Sequence, residues 1–198
     1  MNKLNYTEEI FNILSRGGFI SNNSVQAKIK RYYDAIEDHQ AEYDEYYQGI
    51  GFHLEAGDGY FFFTRKETKV DLLRKLEAVS KWIDYLTFLK TYNSAFGAGL
   101  VFSAADIVVR INCDMELKEL AGKLFSEKKS YDEIVEKLIS ELERMGFVEQ
   151  QDEVEKNWKV LTSFRYIEEL IDCISITDDA EHTGEKDKET DKEKEEQP

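Results

Sequence analysis

His39, His53 and His182 are the only histidines of the chain, and none has the company that chemistry would require. His39 falls beside a helical stripe, His53 within an expected strand and His182 in a charged terminal stretch. No Cys, Asp or second His stands at metal-ligand spacing to any of them. Cys113 and Cys173 give neither a disulfide framework nor a metal motif. A phosphate loop built on Gly122-Lys123 would need a glycine where Leu117 stands and a hydroxyl where Leu124 stands. Gly97-Ala98-Gly99 lacks the third glycine of a dinucleotide fingerprint, and no G-x-S-x-G elbow occurs. The abundant carboxylates read as a solvated surface. These residues predict a protein that is not an enzyme, with no cofactor and no metal site.

What remains is recognition chemistry. Arg65, Lys66, Lys69, Arg74 and Lys75 cluster within a short stretch, interrupted by Glu67 and Asp71. The cluster reads either as a modest phosphate-contact patch, used when a larger assembly already holds DNA, or as an ordinary solvated helix start. Tyr43, Tyr46, Tyr47, Phe52 and the run Tyr60-Phe61-Phe62-Phe63 crowd a second stretch. A strand alternates its faces, so Tyr60 and Phe62 oppose Phe61 and Phe63, and one face alone can pack on the domain's own helices. The other must meet a second domain or a partner, because monomers rarely expose large apolar patches.

The elements that would position these groups follow from period and punctuation. Asn5 is placed to cap a short helix ended by Gly17-Gly18, and Asn22-Asn23-Ser24 to open a longer one. Val25, Ile29, Tyr32, Ile36, Tyr43, Tyr47 and Ile50 form the longer helix's stripe, broken by one sevenfold gap. The period then changes to two, and Phe52 and Leu54 face Tyr60 to Phe63 across a glycine-bearing turn, a β-hairpin. From 68 to 92 a central helix carries Leu72, Leu76, Trp82, Tyr85, Phe88 and Leu89, apolar on more than one face. It is expected to be covered on two sides, as a junction between halves or a dimer interface. Ser103 and Ser130 are placed to cap two later helices, and Gly146 to end the second of them. Phe147 and Val148 then pair with Trp158, Val160 and Leu161 across a charged turn. Helices followed by a two-stranded wing occur twice, so the expected fold is α+β, mostly helical, with two tandem winged-helix domains.

The tyrosine-rich stretch from Ala41 to Leu54 continues through Gly59, Tyr60 and Phe61 to Arg65. With the segment Leu138 to Val148, which ends a helix at Gly146 and enters a wing, and with the acidic C-terminal stretch, it resembles the MukE/MksE group. These are kleisin-interacting tandem winged-helix subunits of bacterial SMC complexes, and the compact form is more like MksE than the longer MukE proteins. The resemblance implies a non-catalytic subunit that binds a kleisin and, through it, a coiled-coil SMC ATPase. It further implies a homodimer that supports chromosome organisation and segregation or plasmid restriction. On that reading Trp82, Tyr85, Phe88, Leu89, Tyr46 and Tyr47 are candidates for the kleisin or dimer interface. Arg65, Lys66, Lys69, Arg74 and Lys75 are candidates for DNA phosphate contact within the assembled complex. The rival reading of the fold is a stand-alone winged-helix transcriptional regulator.

Charge weighs against that rival. The 198 residues carry 26 basic and 41 acidic side chains, a net charge of −15, and phosphate neutralisation needs a surplus of Lys and Arg. The stretch from Tyr131 to Met145, where a winged helix would read DNA, holds Asp132, Glu133, Glu136, Glu141 and Glu143 against Lys137 and Arg144. The lone proline, Pro198, suits long helices, and no apolar run is long enough for a bilayer, so a cytoplasmic, nucleoid-associated protein is expected. The domains expected are residues 1–67, residues 68–177 with the central helix, and an acidic tail over 178–198 too polar to order itself.

Overall fold

The computed structural model describes residues 4–66, 68–125, 127, 128, 130–152 and 154–173, with the backbone alone for 70–77. The acidic tail, 178–198, lies outside the described residues. Two three-stranded antiparallel sheets organise the chain, and both have the same order. In the first, β1 (Ile20–Ser21) and β2 (His53–Gly57) flank β3 (Tyr60–Thr64). In the second, β4 (Val101–Ser103) and β5 (Val148–Asp152) flank β6 (Asn157–Val160).

Helices α1 (Thr7–Leu14), α2 (Ala27–Asp38) and α3 (Gln40–Gln48) cover the first sheet. Ile10, Leu14, Ile20, Ile29, Tyr33, Ile36, Tyr43, Tyr47, Leu54 and Phe61 form its core. Two expectations change here. Asn5 does not cap α1; Tyr6 occupies that position with a left-handed φ of 57° and no side-chain bond. The long helix is two helices, because His39 leaves helical geometry at φ −141°, inside the sevenfold gap of the stripe. The break lets α3 turn back along α1. There the Tyr47 hydroxyl donates to the Thr7 carbonyl at 2.8 Å, and the Tyr43 hydroxyl donates to that of Asn5. The hairpin forms as expected, with Gly57 paired to Tyr60 and only Asp58-Gly59 in the turn.

The second half begins with α4 (Lys69–Tyr92) and continues with α5 (Ala104–Cys113), α6 (Met115–Leu124) and α7 (Tyr131–Arg144). Ser103, Asp114 and Ser130 each accept the backbone N–H of the third residue of the helix they open, as cap residues do. Gly146, at φ 78°, ends α7 and lets the Phe147 N–H reach the Leu142 carbonyl at 2.9 Å. Val148 pairs with Val160, so the expected second hairpin is present. A 3-10 turn, Thr162–Phe164, leads into a last helix, α8, over 165–173. No helix among the described residues is long and apolar enough to cross a membrane.

Candidate functional site

The central helix departs from its expected place. Between 78 and 92, α4 buries Val79 and sets Trp82, Tyr85, Phe88 and Leu89 in the core of the second half. Trp82 is 9% exposed, Tyr85 2%, Phe88 0% and Leu89 1%, so these four candidate contact residues offer a partner almost no surface here. Their apolar neighbours belong to the chain itself: Tyr85 packs on Phe125, and the Trp82 ring meets Phe147 edge-on at 5.3 Å. Ile83, on the opposite side, is 38% exposed. Burial of the Tyr85 phenol raises its pKa despite the nearby Lys81 ammonium, which lies over the ring at 5.1 Å.

The seam between the halves lies elsewhere. Phe19, just before β1, contacts Tyr60 and Phe62 of the first hairpin and also Phe147 and Tyr166 of the second half. The outward face of β3 therefore meets the second half, which decides between the two alternatives that strand alternation leaves open. Polar bonds surround this aromatic hub. Asn23 donates through Nδ2 to the Val160 carbonyl at 3.1 Å and accepts the Thr162 N–H at 2.9 Å. Thr162 donates its hydroxyl to the Gly59 carbonyl at 2.6 Å, and Ser163 donates its N–H to the Ser21 hydroxyl at 3.3 Å. At Gly59, with φ 85°, a Cβ would sit 2.8 Å from the Asn22 side chain, so only glycine allows this approach. Ser21, Ser24, Thr162 and Ser163, the buried polar residues of the described chain, all lie on this seam. Each is bonded there, as burial requires.

Glu149 completes the seam. Its carboxylate accepts the Ser24 hydroxyl at 2.8 Å, the Val25 N–H at 2.7 Å and Gln26 Nε2 at 3.2 Å, just ahead of α2. Asn22-Asn23-Ser24 thus does more than open the helix: the Ser24 hydroxyl accepts the local Gln26 N–H at 3.1 Å, while Asn23 and Ser24 also reach across to the second half. Tyr60 donates to Glu169 at 3.1 Å, and burial, followed by that carboxylate, raises its pKa strongly. Arg165 pairs with Asp58 at the hairpin turn. Phe19, Asn23, Glu149 and Tyr166 had no periodic signal in the sequence, because their partners are distant in the chain.

Among the described residues, two open surfaces bear on the candidate sites. On the first half, Tyr46 and Ile50 are 54% and 56% exposed and stand four residues apart at the end of α3. Tyr47, beside them, is fully buried, and burial raises its pKa strongly. Ring contacts run from Tyr46 through Tyr47 and Phe63 to Phe52 and Phe11, the last three half-buried. Of the basic cluster, Arg65, Lys66 and Lys69 are exposed, and the side chains of Arg74 and Lys75 lie outside the described residues. On the second half, the outward stripe of α7 carries Glu136, Ser140 and Glu143 above the sheet. His39 is exposed beside Glu42 at 3.6 Å, His53 is exposed on β2, and no group of three metal-ligating residues occurs among the described residues.

Two helix-covered sheets of the same order, sealed by an aromatic and polar seam, define a small α+β protein. The chain belongs to the MksE family, condensin complex protein MksE, whose family model matches residues 5–171. That match makes it a condensin complex subunit by family and agrees with the resemblance carried by the tyrosine-rich and wing-entry segments. No curated protein matches the chain.

Proposed function

We propose that this chain is a non-catalytic, kleisin-binding accessory subunit of a bacterial condensin-like SMC complex, built as tandem winged helices and acting as a homodimer. The repeated sheet order, with a hairpin closing each half, supports the tandem reading. The observation that carries the assembly is the exposed pair Tyr46 and Ile50, set in a continuous array of half-buried rings. A patch of that kind calls for cover, and a second copy of the chain supplies a self-complementary one. Arg65, Lys66 and Lys69 contact phosphate only when the assembled complex presents DNA, since the chain's net charge of −15 opposes binding by the isolated subunit. Constraint of the kleisin between the ATPase heads then serves chromosome organisation and segregation or plasmid restriction.

Affinity capture of the tagged protein from its native cells, with mass spectrometry, tests the subunit reading; a kleisin and a large coiled-coil ATPase should co-purify. Mass measurement in solution tests the dimer. The double variant Tyr46→Glu/Ile50→Glu should be monomeric with unchanged circular dichroism, and a dimer that survives it would remove this face from the interface.

A further inference from the structure

The outward stripe of α7 forms one wall of a groove whose other residues come from the second sheet and the start of α5. Ala104, Ile139 and Trp158 make an apolar floor, Glu136, Ser140 and Glu143 stand on the helix side, and Gln150 and Lys156 on the strand side. The volume is about 310 Å³, enough for one or two side chains of a docked segment. Ser140 keeps the helix wall low, and the half-buried Trp158 pairs with Gln150 on one side and the buried Phe102 on the other.

The charges around this groove are unbalanced, in contrast to Glu141 and Lys137 on the same helix. Glu141 is paired twice, with Lys81 at 2.9 Å and Arg144 at 3.0 Å, and Lys137 pairs with Glu127. Glu136 and Glu143, both exposed, have no ion pair among the described residues, and Lys156 across the groove pairs with neither. The same contrast holds for rings. Lys137 lies over Phe125 at 4.6 Å and Lys81 over Tyr85 at 5.1 Å, whereas among the described residues no cation lies over Trp158. An indole flanked by two carboxylates is matched by a guanidinium or ammonium group, which gains a cation–π contact and an ion pair together. The same carboxylates repel a phosphate backbone.

We infer that this groove holds a segment of the kleisin partner in which an arginine or lysine is flanked by apolar residues. The cation sits over Trp158 toward Glu136 and Glu143, and an acidic or carbonyl group of the segment faces Lys156, which fixes its direction. The inference rests on the kleisin-binding reading and assigns it a site. The stripe residues are exposed, so their charges can be changed without touching the core.

The full chain and three variants are used to capture full-length kleisin: Glu136→Lys/Glu143→Lys, Glu136→Gln/Glu143→Gln, and Trp158→Leu, which keeps the apolar floor. Fluorescein-labelled overlapping peptides covering the kleisin then locate the segment by anisotropy. Wild type should capture kleisin, the charge reversal should weaken capture about tenfold or more, and the other two should fall between. The peptide bound should carry Arg or Lys, and its replacement by Gln should reproduce the loss. Kleisin capture unchanged by all three folded variants overturns the groove and leaves the subunit reading standing. A bound peptide lacking a cation also overturns the groove. No capture by wild type overturns both.

Discussion

The two halves share a sheet order but secure their helices by different means. In the second half α5, α6 and α7 each begin at a side-chain cap supplied by the adjoining residue: Ser103, Asp114 and Ser130. In the first half α1, α2 and α3 have no side-chain cap of that kind. There the entry to α2 is anchored by Glu149 of the other half, which accepts the Ser24 hydroxyl and the Val25 N–H, and α3 is tied down by tyrosine hydroxyls bonded to the backbone of the N-terminal segment. The cores differ accordingly. Tyr33, Tyr43 and Tyr47 belong to the first, whereas Ile, Leu, Val and Phe dominate the second. A helix that carries its own cap is locally specified; one anchored from elsewhere depends on the tertiary structure.

The largest break in that contrast should come at Tyr47. Tyr47→Ala removes a fully buried ring and its bond to Thr7, and should destabilise the protein by about 3–5 kcal/mol in urea titration. Tyr47→Phe keeps the ring and should lose only about 1 kcal/mol; equal losses would mean that the hydroxyl, not the packing, holds α3. Next, Glu149→Ala should lose about 1–3 kcal/mol, with hydrogen exchange rising first at the start of α2 although the substitution lies in the other half. Protection lost only around β5 would contradict an anchor supplied across the seam. Ser130→Ala should follow at about 1 kcal/mol, with exchange rising only within α7.

The smallest effect concerns carboxylates on one helix. Burial alone would raise the Glu141 carboxyl, but the Lys81 and Arg144 bonds outweigh it and hold the group below its ordinary 4.5. A carboxyl depressed on folding contributes stability at pH above its unfolded value and loses it as pH falls through the lower folded value. Glu141→Gln should therefore flatten the fall in stability below pH 4.5, by less than about 1 kcal/mol because the pair is partly exposed. Glu136→Gln/Glu143→Gln should leave melting within about 0.5 kcal/mol of wild type. A strong loss there would mean that those side chains serve the fold instead of a partner.

Legibility in the sequence follows the same division. Helix α7 could be read completely, because Ser130, its apolar stripe and Gly146 are all local signals. The first hairpin could be read from its change of period and its Asp58-Gly59 turn. Strands β1 and β4 could not, being two and three residues long, too short to show alternation. Asn22-Asn23-Ser24 reads as a helix opening, and Ser24 does accept the Gln26 N–H there, but the bonds that cross the seam are invisible locally, Glu149 being 125 residues from Ser24. The apolar residues of α4 were counted over both faces, which made Trp82, Tyr85, Phe88 and Leu89 look like a contact surface; the described turns bury one stripe within the chain. Of the candidate surfaces, the acidic α7 stripe and Tyr46 could be found from sequence, whereas the Trp158 groove required the fold.

The anchor that Glu149 gives to the segment ahead of α2 also imposes an order of events during synthesis. Residues 1–67 leave the ribosome well before Glu149, Thr162 and Tyr166 exist. Until those arrive, the emerging half presents Phe19, Tyr60 and Phe62 to water beside an unanchored entry to α2. The first half to be made is thus the last to be finished. A premature stop before residue 149 would leave a sticky, unsealed fragment, not a working smaller domain.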